Sequence, residues 1–375
     1  MTRVGLTSPA TALGIMSGTS LDGIDIALLR SDGEMLIETG PAATYPYAPA
    51  MREGLRGVLG GLGPVVDVEE ALTLAFAEAV ERFIAEHGLA ASEIDVIGCH
   101  GHTILHRPRE GRTWQIGDGG LLARRTGIPV VNDFRSADVA AGGEGAPLAP
   151  LFHAALVHGL PRPIALLNLG GVANVTWIGE GAEGDEVIAF DTGPGNAAID
   201  DWTRRTTGAA MDEGGRLARG GAVSASILAT LLDHPYFARR PPKSLDRDDF
   251  GWQAVATLSP ADGAATLTAF TAAAVGAGAR HFPSSPRRWL VTGGGRHNPA
   301  LMAALEKALG MRPEPVEAVG WQGDALEAQA FAWLALRARR SLPLSLPSTT
   351  GVARPMTGGR FHPAPGRGDS YSSSL

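Results

Sequence analysis

Several short stretches of this 375-residue chain hold residue types that chemistry needs. In FDTGPGN, Asp191 leaves an apolar run into a turn stiffened by Pro194 and relieved by Gly193 and Gly195. A carboxylate at a strand end is placed to abstract a proton; Asp also commonly hydrogen-bonds its own turn, and the local sequence leaves both roles open. In GIMSGTSLDGID, Gly18, Thr19 and Ser20 lie between two strand-like runs. Backbone N–H groups and two hydroxyls can converge there on one anion, or the segment can be a plain hairpin turn. It is not a Walker loop, because no Lys follows the glycines and a strand, not a helix, comes next. NLGGVAN pairs Gly170 with Gly171, and VTGGGRHN puts Gly293, Gly294 and Gly295 between a strand and a helix. Paired glycines let backbone approach a ligand, and a helix N-terminus favours an anion or the edge of a nucleotide. One such turn says little; three, each at a strand end, say more.

Histidines and charges gather in two further segments. GCHGHTILHRP holds His102 and His106 four residues apart, a spacing that ligates a metal on a helix. Gly98 and Gly101 precede the pair, Pro108 follows, and no Glu lies between, so the better reading is a strand-end loop offering His102 and Thr103 to a polar ligand. In VVNDFRSADVAAGGEGAPLAP, Asp133 and Arg135 follow a strand and can position a polar or anionic substrate, or pair with each other structurally.

The elements that must carry these residues alternate between strand and helix, which is α/β architecture. Strands are expected at 12–16, 23–29, 94–97, 128–131, 164–169, 174–178, 187–190 and 289–291. Apolar residues at Leu72, Ala75, Phe76, Ala79, Val80, Phe83 and Ile84 have the helical period over 68–87, and Gly88 stands where a left-handed residue ends a helix. Further helices are expected over 147–158, 267–281, 300–309 and 325–340, the last with a basic final turn that suits the helix dipole. The pattern of apolar strand, small-residue turn and apolar strand occurs at 13–29 and again at 166–178, so a duplicated domain with a cleft between the halves is expected, against the bland alternative that hairpins are common.

Composition narrows the classes. Hydrophobic residues are 44 %, enough for a substantial core, and 50 glycines are near twice the usual share of ~7 %. With 32 Lys+Arg against 39 Asp+Glu the net charge is −7, which argues against a nucleic-acid footprint. Cys99 is the one cysteine, so neither an intrachain disulfide nor a cysteine zinc site is available. No apolar run has signal-peptide or membrane-spanning length, so a soluble, cytoplasmic protein without membrane partners is expected.

Taken together, GIMSGTSLDGID, HGHTILH, QIGDGGLLA, NDFRSADVAAGGEGAPLAP, LNLGGVANVT, FDTGPGN, PPKS (Pro241–Ser244), VTGGGRHN and GDALEAQAFAWLA resemble the anhydro-N-acetylmuramic acid kinase family of the actin-like ATPase and sugar-kinase superfamily. The resemblance runs from about Gly14 to Gly359. It implies two ribonuclease-H-like domains flanking a nucleotide cleft, expected here as 1–135 with 346–360, and 136–345, with 361–375 a disordered tail. It implies ATP with Mg²⁺, an anhydro amino sugar as substrate, a role in peptidoglycan recycling, and a homodimer. By the same resemblance Gly18, Thr19, Ser20, Leu21, Asp22, Gly23, Ile24 and Asp25 form the ATP-phosphate loop. Gly170 and Gly171 match the second phosphate turn, Gly293, Gly294 and Gly295 the adenosine turn, and Asp191 the general base. His102, Thr103, Asp133, Arg135 and Glu327 are the candidate substrate contacts. Many superfamily members carry an Asp two residues before the Gly-Thr turn; Met16 stands there in this chain, leaving Mg²⁺ to Asp22, Asp25, or water and phosphates. Two other classes fit part of the pattern: a non-catalytic nucleotide-dependent sugar sensor, and a metal hydrolase using His102 and His106.

Overall fold

A computed structural model describes residues 9–18, 21–181, 186–247 and 249–365. The chain divides into two compact units, one built from residues up to His158 with Ala325–Leu346 and the chain from Val352, the other from Gly159–Asp324 with Pro347–Gly351.

The first unit opens with a meander. β1 (Ala10–Ser17), β2 (Gly23–Ser31) and β3 (Ile37–Pro46) pair antiparallel in sequence order. β4 (Val96–Arg107) lies parallel on the other side of β1, β5 (Arg112–Ile116) folds back antiparallel on β4, and β6 (Val130–Asn132) is parallel to β4. In the second unit β7 (Ile164–Leu169), β8 (Val172–Ile178) and β9 (Val187–Pro194) repeat the meander. β10 (Arg288–Thr292) is parallel to β7, and β11 (Glu314–Pro315) is parallel to β10. Both sheets therefore show one plan: three antiparallel strands, then two parallel strands added beside the first. The duplication expected from two apolar hairpins extends to whole units, as two ribonuclease-H-like domains require.

Local sequence explains the elements that were foreseen. β1 and β7 are buried on both faces, as central strands with helical cover should be, and read as near-continuous apolar runs. The helix Val65–Glu86 buries Leu72, Phe76, Val80 and Phe83 against the first sheet, and Gly88 adopts φ 63° just beyond it. Asn298 caps the helix Pro299–Leu309 by accepting from the N–H groups of Ala300 and Leu301, with Pro299 at its first position.

Gly14 and Gly98 sit opposite each other on β1 and β4. A Cβ on Gly14 would lie 1.7 Å from the Ala328 carbonyl, and one on Gly98 2.0 Å from that of Phe331. The two glycines thus form a seat for the helix Leu326–Arg339, which packs on β1, β2 and β4.

This seat moves the unit boundaries from those expected. The helix belongs with the first unit, so the chain returns to that unit at Ala325 rather than at 346, and the second unit begins at Gly159 rather than at 136. Pro347–Thr350 packs against β9 and belongs with the second unit. The tail also departs from expectation at its start: β12 (Arg360–His362) pairs antiparallel with β6, and His362 Nε2 lies 2.9 Å from Asn132 Oδ1. Residues 366–375 lie outside the described residues.

Candidate active-site residues in the two units

Ligands of open α/β sheets gather at the carboxyl ends of parallel strands, and the candidate residues of each unit cluster there. In the second unit Gly170 follows β7 and Gly293 follows β10. The FDTGPGN turn locks onto the first of these. Asn196 N–H donates to the Gly170 carbonyl (2.7 Å), Gly195 N–H donates to that of Gly171 (2.9 Å), and Asn196 Nδ2 donates to the Leu169 carbonyl (2.8 Å). The tightest approach falls on Gly195, whose added Cβ would stand 2.2 Å from the Gly170 carbonyl. Gly293 takes φ 76° against Asn168 and Leu169, and a Cβ on Gly295 would meet the Leu169 side chain at 2.6 Å. Gly294 alone of the three faces open space, with nothing within 4 Å of its would-be Cβ. Three glycine turns are thus tied around Asn168, Leu169 and Asn196.

Asp191 is buried, and it lies inside β9 rather than at the strand end expected, because β9 continues through Pro194. Its register slips where Ala173 pairs with Gly193 and Asn174 with Asp191, leaving Thr192 as a bulge. Such bulges re-aim neighbouring side chains. The PPKS segment covers this part of the strand. Asp191 N–H donates to the Lys243 carbonyl (3.0 Å), Leu245 N–H donates to Asp191 Oδ2 (2.8 Å), and Tyr236 hydroxyl donates to the Asp191 carbonyl. Lys243 is buried with its ammonium 4.4 Å from the Tyr236 ring centre, and its Nζ donates to the Tyr236 carbonyl (3.3 Å). Burial lowers its pKa to about 8, helped by Arg239 and Arg280 and opposed by Asp191. Lys243 had no role assigned from the sequence; its signal was the PPKS motif.

In the first unit Leu21, at φ 60°, closes a turn by donating its N–H to the Gly18 carbonyl (3.1 Å). Thr19 and Ser20 lie outside the described residues. The Leu21 and Ile24 side chains belong to the hydrophobic core, so only their backbone can face a ligand. Gly23 packs against the Tyr45 carbonyl, 2.4 Å from its would-be Cβ. Asp22 is exposed, and Asp25 stands directly across from Met16 and accepts from Thr44 Oγ1 (2.6 Å).

The histidine segment is strand, not loop. β5 pairs with it, so β4 runs on to Arg107 and carries His102, Thr103 and His106. Between Cys99 and His102 the strand holds one residue more than β1 does between Ile15 and Ser17, and Gly101, at φ 75°, absorbs it. Strand residues four apart are roughly 13 Å apart, so His102 and His106 cannot share a metal ion. Among the described residues no group of three His, Cys, Asp or Glu could hold one.

His102 is fully buried, with Nδ1 2.9 Å from Ser17 Oγ, and burial lowers its pKa to about 4 against a smaller pull from the Ser17 backbone. Thr103 Oγ1 accepts from Gln115 (3.3 Å). Arg135 donates to His100 Nε2 (2.9 Å from Nη2) and to the Gly145 carbonyl (2.8 Å). Asp133 follows β6 at φ 51°, half-buried, and its carboxylate makes no hydrogen bond or ion pair to the described residues. A side chain held in that region stores strain typical of functional positions. Glu327 is exposed in the first turn of its helix.

The first unit thus brings the Gly18–Asp25 loop, His102, Asp133 and Arg135 to one sheet, and the second groups Asp191 with two glycine turns. Ser17, which bonds His102, and Tyr47, which bonds Ser17, were not legible: these partners lie 85 and 30 residues apart in sequence.

A profile of the anhydro-N-acetylmuramic acid kinase family matches residues 10–364. The chain is 58 % identical over 354 residues to the anhydro-N-acetylmuramic acid kinase of Paramagnetospirillum magneticum, covering 94 % of this chain and 99 % of that one. It is 56 % identical over 358 residues to the protein of the same name from Rhodospirillum rubrum, covering 94 % of each. Among solved structures, a 2-hydroxyisocaproyl-CoA dehydratase activator from Clostridium difficile aligns at 12 % identity and a TM-score of 0.47, covering 88 % of this chain and 96 % of that one. The extent and identity of the sequence matches show that this chain belongs to the anhydro-N-acetylmuramic acid kinase family.

Proposed function

We propose that the chain uses ATP and water to convert 1,6-anhydro-N-acetylmuramic acid into N-acetylmuramic acid 6-phosphate, with Asp191 as general base. The family match over residues 10–364 carries this reading. The buried, backbone-anchored carboxylate of Asp191 supports the assignment of the base.

The chemistry follows from the substrate. In a 1,6-anhydro sugar the 6-oxygen closes a bridge to the anomeric carbon. Asp191 takes a proton from water as the water oxygen bonds to that carbon, as in an inverting glycosidase. The bond from the anomeric carbon to the 6-oxygen breaks, and that oxygen accepts the γ-phosphoryl group as ADP leaves. Phosphoryl capture does the work of a proton-donating acid on the leaving side. The Leu245 N–H, 2.8 Å from Oδ2, orients the carboxylate.

The glycine turns Gly170–Gly171 and Gly293–Gly295 and the Gly18–Asp25 loop serve ATP, chiefly through backbone N–H groups. Mg²⁺, when bound, offsets phosphate charge. The donor set suits an ion held largely by phosphates and water with one or two carboxylates, and Asp22 and Asp25 are the residues that would hold it. Arg135, fixed by His100 and Gly145, contributes positive charge toward the sugar's lactyl carboxylate, with His102, Thr103, Asp133 and Glu327 as further sugar contacts.

The test is a product assay with ATP, Mg²⁺ and the anhydro sugar. Wild type should yield the 6-phosphate, and Asp191→Asn should turn over about 10²–10⁴-fold more slowly with unchanged circular dichroism. Near-normal turnover by the variant contradicts the assignment of the base. Bound ATP with unaltered sugar in wild type contradicts the reaction and favours a sensor.

A further inference from the structure

The proton inventory around His102 goes beyond the assignment of a sugar contact. Tyr47 hydroxyl donates to Ser17 Oγ (2.7 Å), and Ser17 Oγ lies 2.9 Å from His102 Nδ1. All three side chains are buried. Ser17 has one hydroxyl proton, and its lone pair already receives the Tyr47 proton. Its own proton reaches an acceptor if it goes to His102 Nδ1, which requires that nitrogen to be bare. The reverse arrangement, with the proton on Nδ1, strands a hydroxyl proton of Ser17 or Tyr47 and also leaves the Nε2 lone pair empty. The first arrangement leaves one group unmet, the Nε2 N–H, and that nitrogen is screened from solvent with no hydrogen-bond partner among the described residues. A buried N–H without an acceptor is costly, so the site calls for an oxygen there.

We propose that Tyr47 and Ser17 are positioning residues that hold His102 neutral with its proton on Nε2, so that this nitrogen donates a hydrogen bond to an uncharged oxygen of the sugar. The inference rests on the proposed reaction for the identity of the ligand. His102 pairs with Ser17, at the carboxyl end of β1 and immediately before Gly18, and parallel-strand carboxyl ends are where such folds take ligands. A neutral donor suits a hydroxyl, ether or amide oxygen, whereas a phosphate is matched by cationic side chains. Burial, which disfavours the imidazolium, works in the same direction.

Selective ¹⁵N-histidine labelling tests the proton's place without any turnover, with the His102→Gln spectrum identifying the signal. Wild type should show His102 bare at Nδ1 and protonated at Nε2 at pH 7, and Tyr47→Phe and Ser17→Ala should each shift that balance. A wild-type spectrum with the proton on Nδ1 overturns the proposal. Kinetics then tests the ligand: both variants should raise KM for the sugar about two- to ten-fold, the scale of one hydrogen bond, with KM for ATP unchanged. A rise for ATP alone overturns the sugar as the acceptor. Unchanged KM values with a lowered melting temperature would show that an enclosed water meets the N–H, which also overturns it. If wild type does not turn over the sugar at all, the proposed reaction fails, while the spectrum still reports whether the relay exists.

Discussion

Asp191 shows how much residue-level chemistry the sequence displays and where it stops. Its residue type and its place after an apolar run were legible, yet its position inside β9 depends on the Thr192 bulge and on the PPKS segment, more than fifty residues away. The places of Lys243, Ser17 and Tyr47 beside the candidate residues were not legible, because each is held by a partner that only the tertiary fold supplies. Arg135 was legible, but not its tether to His100 and Gly145. Removing its charge should affect the sugar, not ATP: Arg135→Ala should raise KM for the anhydro sugar roughly tenfold or more, as loss of a charge-assisted contact does. An unchanged sugar KM in a folded variant would remove Arg135 from the binding residues.

At the scale of elements, the foreseen pieces are those with a local cause: the apolar runs of β1 and β7, the periodic helix Val65–Glu86 and the Asn298 cap. β5 and β12 were missed because they are short, partly exposed and formed by pairing rather than by pattern. The glycine turns give a sharp contrast. Gly195→Ala forces a Cβ against the Gly170 carbonyl, so it should destabilise the second unit by ~1–3 kcal/mol and weaken ATP binding with it. Gly294→Ala meets nothing, so its melting temperature should match wild type while KM for ATP rises if the new methyl crowds the nucleotide. Thermal unfolding and ATP titration of both variants separate the two roles. Equal loss of stability in both would contradict the description of the turns.

For the whole molecule, the duplication was legible from two hairpins alone, but the unit boundaries were not, because the seat formed by Gly14 and Gly98 draws a distant helix back onto the first sheet. The buried histidines set the acid side of stability. Burial lowers the pKa of His102, His106 and His153 to about 4, from an unfolded value near 6.5. Between those limits the unfolded chain binds more protons than the native one, so stability is highest above pH 6.5 and falls as pH drops toward 4. Each histidine contributes up to about 1.4 kcal/mol per pH unit. Urea unfolding at pH 7, 6 and 5 should show this slope, and His153→Phe should flatten it if the larger ring is accommodated. A pH-independent midpoint over that range would contradict the neutral burial of these side chains.

The central claim is that this chain couples water attack on the anomeric carbon to phosphorylation of the 6-oxygen, with Asp191 activating the water. Mass spectrometry of the products formed from ATP, Mg²⁺ and 1,6-anhydro-N-acetylmuramic acid in ¹⁸O-labelled water tests it most directly. The account predicts a 6-phosphorylated sugar with the label on carbon 1, detected before anomeric exchange, no label in the transferred phosphate, and loss of both events together in Asp191→Asn. Label in the phosphate, or phosphorylation that survives in the variant, would contradict it.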